Sequence, residues 1–320
     1  MIYRLYFLFF YIFISCASPV KQEENNTNNS TSFLPDLNLA NGIEIVTWNI
    51  ENFPKLGSRT IDSVYNVITS LNADVYCLQE ISNRNSFQEL TDRLIDYDYV
   101  ISDDTDYLNL ALLYKKNDFI IRSKSSLFTE NMYEFAYRPP LRVEMTYVGE
   151  NSLDFTLINM HMKCCDNGYA RRVSSAQILY DYLKSSIESG ILNHIVVGDW
   201  NDDISDNYNQ NSFNIFLEDQ DNFKYVNYDM AHSSSNVYDS FPGYGSGSFI
   251  DHIMISSDLF EEYEGGDVQT IRLGDYLAGY DEIISDHRPV VWRFVPVSYT
   301  HLRAHETRED RGCRGGGGKK

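Results

Sequence analysis

Four apolar, strand-like runs in this chain each end in a short polar cluster, and this pattern constrains the fold more than any other feature. The runs are rich in β-branched and aromatic residues, which favour strands, and they span residues 45–49, 74–80, 155–161 and 195–201. Polar groups at the ends of neighbouring strands meet at one edge of a sheet. The sequence therefore predicts a sheet with one polar, reactive edge.

The clusters contain the residue types that bind metal ions and transfer protons. They are Asn49, Glu80, His161, the pair Asp199 and Asn201, and the Asp-His pairs Asp251/His252 and Asp286/His287. Glu80 offers hard oxygen ligands of the kind that Mg²⁺ or Mn²⁺ prefers. A lone glutamate at a strand end is more often a surface carboxylate, and Asn49 at the end of the neighbouring strand is what favours a site.

The Asp286/His287 pair precedes the last strand-like run, where a histidine can reach water while a carboxylate fixes its tautomer. Asp251 is the candidate for that carboxylate. On its own His287 would more often cap a turn, and the presence of the other clusters reverses this preference. His252 alternates with Asp251 along the strand, so it should face the opposite way, and we place it outside the site.

Between the clusters the chain alternates between helical and strand patterns. Apolar residues recur at helical spacing over 59–71, 85–95 and 171–187, and strand-like runs cover 110–114 and 141–147. We expect a mixed sheet. Residues 202–248 are mostly polar and irregular, and long loops of compact enzymes often border the active site, so we expect this segment to form a wall of the cleft.

The amino-terminal end is typical of an export signal. One charge, Arg4, precedes an apolar run over 5–14 that is too short to span a bilayer, which takes about 20 residues. The run leads into Ser15-Cys16-Ala17, which resembles a bacterial lipobox. We interpret residues 1–16 as signal peptide and lipobox, with Cys16 as a lipid anchor; the alternative is an ordinary signal peptide cut near Ala17.

The rest of the chain divides into a linker, one folded domain and a tail. Residues 17–40 are mainly polar and are predicted to form a flexible linker. Residues 41–297 form a single predicted domain, an ordinary size for a β-rich enzyme. Residues 298–320 change character abruptly and resemble a translated sequencing adapter, so we interpret them as a non-native tail.

The balance of charge limits the substrates that such a domain attracts. The chain has 26 Lys and Arg against 46 Asp and Glu, a formal net charge of −20. The negative electrostatic field of such a chain repels nucleic acid at long range. A polyanionic substrate therefore needs a local basic patch and divalent cations. The candidates for that patch are Arg138, Arg142, Lys163, Arg171 and Arg172.

Two of the five cysteines, Cys164 and Cys165, are adjacent. Because adjacent Cα atoms are about 3.8 Å apart, a disulfide between these residues would be strained. Two ordinary thiols are the favoured interpretation, and metal binding by the pair is the alternative.

In their order and spacing the clusters resemble the endonuclease/exonuclease/phosphatase superfamily of DNase I-like enzymes. The matching motifs are Trp48-Asn49-Ile50, Leu78-Gln79-Glu80, Asn159-Met160-His161, Gly198-Asp199-Trp200-Asn201, Ile250-Asp251-His252 and Ser285-Asp286-His287-Arg288-Pro289. Each motif is short, but the full ordered set is specific. The resemblance implies a four-layered α/β sandwich, with two packed mixed β-sheets flanked by helices, and Mg²⁺- or Mn²⁺-dependent cleavage of phosphoester bonds.

The resemblance also implies roles for individual residues. Glu80 and Asn49 match metal-binding positions, with Asp286 as a further ligand. The catalytic group comprises His287 with Asp251 orienting it, Asp199 with Asn201 positioning nucleophile and phosphate, and His161 with Arg138 facing the phosphate. Whether the histidine or the aspartate is the general base stays open at this stage.

The substrate follows less directly, because one fold serves DNases, abasic-site endonucleases, sphingomyelinases and inositol polyphosphate phosphatases. The last branch usually carries a Pro-x-Trp-x-Asp-Arg motif, which residues 247–252 do not match. Because an exported enzyme acts outside the cytoplasm, the export signal favours substrates from the surroundings of the cell. We therefore expect an exported Mg²⁺-dependent phosphodiesterase, foremost an endonuclease acting on nucleic acid.

Two alternatives stay open. One is a phosphomonoesterase or a sphingomyelinase-like lipid phosphodiesterase. The other is a catalytically silent surface module, which the intact clusters disfavour. We expect a monomer without a protein partner, either secreted or held as a lipoprotein at the periplasmic or outer cell surface.

Overall fold

The structure is a computed structural model that describes residues 34–103, 107–243 and 247–297, with only the backbone of Asp166. The predicted signal peptide, the predicted linker up to residue 33 and the predicted tail lie outside the described residues. Within these ranges no helix has the length and apolar character needed to cross a membrane. Leu37 is buried and its N–H donates to the Leu71 carbonyl at 2.8 Å, so the packed body begins before Asn41.

Strands and helices alternate along most of the described chain. The strands are β1 (Ile43–Phe53), β2 (Val75–Ile81), β3 (Tyr97–Ile101), β4 (Asn109–Lys115), β5 (Phe119–Ser126), β6 (Leu141–Tyr147), β7 (Leu153–His161), β8 (His194–Asp199), β9 (Phe223–Tyr225), β10 (Asp251–Ser256), β11 (Asp267–Thr270) and β12 (Val290–Phe294). The helices are α1 (Ser58–Leu71), α2 (Arg84–Arg93), α3 (Tyr169–Glu188), α4 (Asn214–Leu217), α5 (Tyr228–Ala231), α6 (Phe260–Glu264) and α7 (Tyr280–Ile283). The three predicted helices are confirmed as α1, α2 and α3.

The described strands form two six-stranded sheets. The first has the order β11-β12-β1-β2-β4-β3 and the second has the order β5-β6-β7-β8-β10-β9. Each sheet contains one parallel pair, β1 with β2 and β7 with β8, among antiparallel neighbours. A helix connects the strands of each pair, as a parallel connection requires. Both sheets are therefore mixed, as predicted.

The layers follow from which side chains each strand buries. Along β1, Ile43 and Ile45 pack into the core shared with the second sheet, whereas Val46 and Trp48 pack against α1 and α2 on the other face. In the second sheet, Leu179 and Leu183 of α3 join the shared core. Both faces of the central strands are covered, which explains their nearly continuous apolar sequence. The predicted four-layered α/β sandwich is confirmed.

The segment over 202–248 differs in part from its predicted irregular form. Its middle contains α4, β9 and α5, and β9 pairs with β10 at the edge of the second sheet. Phe213 and Phe216 are buried beside Trp200. The sequence prediction missed these anchors because the segment is mostly polar. A few aromatic side chains are nevertheless enough to fix a segment to a core. Phe241, near its end, does reach the reactive edge, where its ring centroid lies 5.1 Å from that of His287.

Candidate active site

The two parallel strand pairs bring the polar clusters together at their carboxyl ends. Asn49 on β1 is in register with Gln79 on β2, directly before Glu80. In the second sheet His161 at the end of β7 is in register with Asp199 at the end of β8. The first residue of β10, Asp251, lies opposite Asp199. The sandwich thus joins groups from both sheets in one site.

Irregular backbone directs some of these side chains into the site. The pairing of β2 with β1 and with β4 shifts register around Glu80, whose φ is 65°, and Asn201 after β8 has φ 56°. Bulges re-aim side chains beside active sites. A left-handed conformation costs a non-glycine residue about 1–3 kcal/mol and persists only where its surroundings enforce it. Here the Asn52 N–H donates to Glu80 Oε2 at 2.9 Å.

One amide connects the carboxylates of the two sheets. The Asn49 side-chain nitrogen donates to Glu80 Oε1 at 3.2 Å and to Asp199 Oδ2 at 3.0 Å. Its oxygen Oδ1 accepts the Glu51 N–H at 2.9 Å. In this orientation Asn49 holds the two carboxylates in place, and its oxygen is already occupied. Binding of a metal ion through Asn49 would require the amide to turn over.

The carboxylates around His287 keep its ring protonated. Its Nδ1 lies 2.8 Å from Asp251 Oδ2, as predicted, and its Nε2 lies 3.8 Å from Asp199 Oδ2. Burial on its own would lower the pKa of His287, but the charges of Asp251, Asp199 and Asp286 outweigh burial and raise the pKa to about 10. The ring is therefore an imidazolium at neutral pH.

The pKa of the Asp199 carboxyl group is raised, which suits a proton acceptor. Burial raises its pKa to about 7, with further upward contributions from Asp251 and Glu80, while the His287 charge and the Asn49 hydrogen bond act downward. The Asn201 N–H donates to Asp199 Oδ1 at 3.0 Å and fixes the carboxylate. Asp199 thus holds its proton more tightly than an ordinary aspartate does.

His161 faces the same two carboxylates from the second sheet. Its Nε2 lies 3.3 Å from Asp199 Oδ2 and 3.8 Å from Glu80 Oε1, so the structure supplies the carboxylate neighbours that the sequence did not identify. Burial, together with the positive charge of Arg138, lowers the pKa of His161 well below its usual value, and the ring is neutral. Its buried Nδ1 has no hydrogen-bond partner among the described residues.

Arg138 and Asn201 share an acceptor at the rim of the site. Arg138 Nη2 donates to the Met162 carbonyl at 2.8 Å, and Asn201 Nδ2 donates to the same oxygen at 3.1 Å. Burial lowers the pKa of Arg138, whereas the charges of Asp199 and Glu80 raise it, so the guanidinium lies within their field. The segment after β7 therefore positions both residues.

Asp286 Oδ1 lies 4.0 Å from His287 Nε2, and the Asp286 side chain is 42% exposed. Its backbone N–H donates to Glu51 Oε2 at 3.1 Å, and Glu51 also pairs with Lys55 at 2.5 Å. Burial raises the pKa of Asp286 and the Glu51 charge adds to this, while the His287 charge acts downward. Every predicted site residue therefore contributes to one connected group.

A family model described as the endonuclease/exonuclease/phosphatase family matches residues 46–287. The chain belongs to this family. Its members are metal-dependent phosphoester hydrolases, and the chain is accordingly an enzyme of that class. A search of curated proteins finds no matching sequence.

Solved structures share the fold of this family member at low sequence identity. D. rerio TDP2, complexed with a single-strand DNA product, is 16% identical over 79% of this chain and 98% of its own, with a TM-score of 0.61. The human Nocturnin catalytic domain with a bound sulfate anion is 17% identical over 82% and 96%, with a TM-score of 0.57. An endonuclease/exonuclease/phosphatase from Bacteroides vulgatus is 16% identical over 79% and 98%, with a TM-score of 0.56.

The donors of the site fit the divalent metal that this family uses. Asp199, Asp251 and His287 each place a ligand atom within 4.8 Å of the others. The bond between His287 Nδ1 and Asp251 Oδ2 already occupies one atom of each of these two residues. The carboxylates of Glu80 and Asp286 would then supply the other oxygens for such an ion. Oxygen donors suit a hard cation such as Mg²⁺ or Mn²⁺ better than a thiophilic one.

Several supporting residues of this family site were missed in the sequence. Gln79 Nε2 donates to Asn159 Oδ1 at 2.8 Å, and Asn159 Nδ2 donates to the Leu78 carbonyl at 3.0 Å, so the pair ties the two sheets together below the site. Ser285 Oγ donates to the Asn49 carbonyl at 2.6 Å and accepts the His287 N–H. Glu51 could have been found, because it lies two residues after Asn49 in the same cluster.

The structure also shows where His252 and two arginines of the predicted basic patch lie. His252 faces away, as predicted: its ring bonds Asn227 Nδ2 at 2.8 Å and the Asp202 carbonyl at 2.9 Å. Of the proposed basic patch, Arg138 lies at the site. Arg142 instead pairs with Glu144 on β6 and does not contribute to that patch.

Proposed function

We propose that this chain is an exported, Mg²⁺-dependent phosphodiesterase that acts as an endonuclease on nucleic acid. One observation carries the proposal. Glu80 of the first sheet lies 3.8 Å from His161 of the second sheet, and contacts shorter than 4 Å continue from His161 to Asp199 and from Asp199 to the His287–Asp251 pair. Carboxylates that can bind a cation thus lie beside the protonated ring of His287. Phosphoester cleavage requires both kinds of group.

The chemistry follows from the charge states of these groups. Glu80 with Asp286 would hold a divalent cation, which when bound neutralises the phosphate and stabilises the leaving oxygen. His287, kept protonated and oriented by Asp251, donates through Nε2 to a phosphoryl oxygen. Asp199, with its raised pKa, accepts the proton of the attacking water. Arg138 provides a further positive charge at the same rim.

An aromatic surface beside the site favours nucleic acid over smaller phosphodiesters. Tyr133 and Tyr137 are 57% and 60% exposed, and the guanidinium of Arg171 lies 4.2 Å from the Tyr133 ring centroid. Tyr137 directly precedes Arg138. Unpaired bases stack on such aromatic and cationic surfaces at about 1–3 kcal/mol per base. The single-strand DNA product in the similar TDP2 fold agrees with this choice of substrate.

Location and assembly are part of the proposal. Residues 1–16 act as signal peptide and lipobox, Cys16 carries the lipid anchor, and the enzyme works as a monomer outside the cytoplasm. Metabolic labelling with palmitate in a bacterial host tests the anchor. Label in the wild type and none in Cys16→Ala supports it, whereas an unlabelled mature protein that begins after Cys16 indicates plain secretion.

The activity is tested with supercoiled plasmid, bis(p-nitrophenyl) phosphate and sphingomyelin vesicles, each in Mg²⁺ or in EDTA. Glu80→Ala and His287→Ala are measured beside the wild type, with Glu264→Ala as a surface control. We expect plasmid nicking in Mg²⁺ that both site variants lose and the control keeps.

The other outcomes point to the alternatives. An intact plasmid with hydrolysis of the small diester or of sphingomyelin would contradict the nuclease and favour a lipid or small-molecule phosphoesterase. No hydrolysis of any phosphoester, with no Mg²⁺ binding by calorimetry, would leave the silent surface module.

A further inference from the structure

Two adjacent thiols lie at the rim of the site, just after His161. Cys165 Sγ donates to Cys164 Sγ at 2.9 Å, and Lys163 Nζ donates to the same sulfur at 3.1 Å. Cys165 is exposed and Cys164 is half-buried, so both are open to small solutes. Neither thiol takes part in the proposed phosphoester chemistry.

The surroundings of the two thiols make them unequal. Burial raises the pKa of Cys164, but the hydrogen bonds from Cys165 and Lys163 and the charges of Lys163 and Arg138 outweigh it and lower the pKa. The pKa of Cys165 is raised, first by its hydrogen bond to Cys164. Of the two thiols, Cys164 therefore loses its proton first, and the thiolate is the reactive form of cysteine.

We propose that Cys164 and Cys165 form a reversible oxidation site for hydroperoxides. The Cys164 thiolate attacks the peroxide, which breaks the O–O bond and yields a Cys164 sulfenic acid and an alkoxide or hydroxide that takes up a proton. The Cys165 thiol then attacks the Cys164 sulfur, forms the S–S bond and releases water. The peroxide is reduced and the two thiols are oxidised.

The bond formed in this way is easily reduced again. A disulfide between adjacent residues closes a small ring through their shared peptide bond, and such strain makes it labile. Labile disulfides are typical of regulatory rather than structural pairs. A thiol reductant therefore returns Cys164 and Cys165 to the free state.

Closing the ring alters the segment that positions catalytic groups. Arg172 Nη1 donates to the carbonyls of Lys163 and Cys165, both at 2.9 Å. The neighbouring Met162 carbonyl accepts from Arg138 and Asn201. Because ring closure changes the backbone between Lys163 and Cys165, it displaces these acceptors, and oxidation lowers phosphoester turnover.

The test is peptide mapping of the full-length protein after mild hydrogen peroxide. Trypsin releases both thiols in one peptide, residues 164–171. In the wild type we expect this peptide to become lighter by two hydrogen atoms and to recover its mass with dithiothreitol. In Cys165→Ser the sulfenic acid persists and is trapped by dimedone, and Cys164→Ser shows neither product. Buried Cys77 is the unreactive internal control.

A second measurement is the alkylation rate at pH 6.5. We expect Cys164 to react about tenfold faster than Cys165, and Lys163→Met to remove most of this difference. Equal rates, or a wild-type peptide that gains oxygen without losing hydrogen, would overturn the proposal. These readouts do not need enzyme activity, so they are independent of the proposed nuclease function.

The rate of phosphoester hydrolysis tests whether oxidation of the two thiols affects the active site. Peroxide should lower the wild-type rate at least severalfold, with recovery in dithiothreitol, and should leave Cys164→Ser unaffected. Ring-closed protein that works at the full rate would contradict that link.

Discussion

His287 is buried, yet it keeps its proton because the charges of Asp251, Asp199 and Asp286 raise its pKa. His161 nearby is neutral, because burial and the positive charges of Arg138 and His287 lower its pKa. The same residue type thus has two charge states within one site, and each state follows from the neighbours of the ring. The sequence identifies both histidines but not their protonation, since Asp251 and Asp199 lie far from His287 along the chain and burial cannot be read from the sequence.

Replacing Asp251 by Asn should separate the charge of His287 from its position. Since the Asp251 charge and hydrogen bond raise the pKa of His287, the variant lowers that pKa and shifts the alkaline limb of the activity profile to lower pH. We expect kcat to fall by roughly 10²–10⁴-fold. Steady-state rates between pH 5 and 11 measure both effects.

The matched control for this variant is Asp267→Asn, at an exposed carboxylate on β11 paired with Arg293. It should keep the wild-type profile. An unshifted alkaline limb in Asp251→Asn, with the fold intact by circular dichroism, would show that His287 is not the group that titrates there.

Arg138→Lys tests the guanidinium at the rim. Lysine keeps the charge but not the planar donor fork that reaches the Met162 carbonyl. We expect kcat to fall by roughly 10–100-fold. Arg142→Lys, which changes an arginine on β6 that pairs with Glu144, should keep the wild-type rate. Equal losses in the two variants would indicate a general loss of stability rather than a role for Arg138.

At the scale of elements, the close approach of β7 and β8 sets the distance between His161 and Asp199. Gly198 has φ 145°, and a Cβ there would lie 1.9 Å from the Met160 carbonyl oxygen. Only glycine allows this approach. The apolar runs predict the strands, whereas the bulge at Glu80 and the Gln79–Asn159 link cannot be read from periodicity, because both depend on which strands become neighbours.

Gly198→Ala should therefore push β8 away from β7. We expect a loss of about 3 kcal/mol or more in the free energy of unfolding, with activity reduced even where the protein is folded. Urea unfolding and plasmid nicking measure the two effects. Gly265→Ala, at a negative φ with open space around the added methyl group, should change stability by less than about 1 kcal/mol. Wild-type stability in Gly198→Ala would refute the steric argument.

At the scale of the whole molecule, the family and the sandwich could be predicted because six ordered motifs span almost the whole domain. The packing of residues 202–248 could not be predicted, since its few aromatic anchors are scattered in a polar segment.

A buried charged residue can also affect the stability of the whole molecule. Glu44, at the end of β1 remote from the site, is completely buried, and its Oε2 has no hydrogen-bond partner among the described residues.

Glu44 makes the stability of the whole fold depend on pH. Burial and the neighbouring Asp74 raise its pKa from 4.5 to about 8. Between these values the folded state holds a proton that the unfolded state has lost, so this group's contribution to stability falls as pH rises toward 8. Glu44→Gln keeps a neutral side chain at every pH, and its oxygen can still accept the Leu39 N–H.

We therefore expect Glu44→Gln to be more stable than the wild type at pH 9 by roughly 1–3 kcal/mol, with little difference at pH 4. Urea unfolding of both proteins from pH 4 to pH 9 gives the difference directly. Glu264→Gln, at an exposed carboxylate near Lys224, is the matched control and should follow the wild type throughout. A Glu44→Gln difference that does not change with pH would mean that Glu44 is ionised in the fold, and that Leu39 and Lys115 compensate its charge.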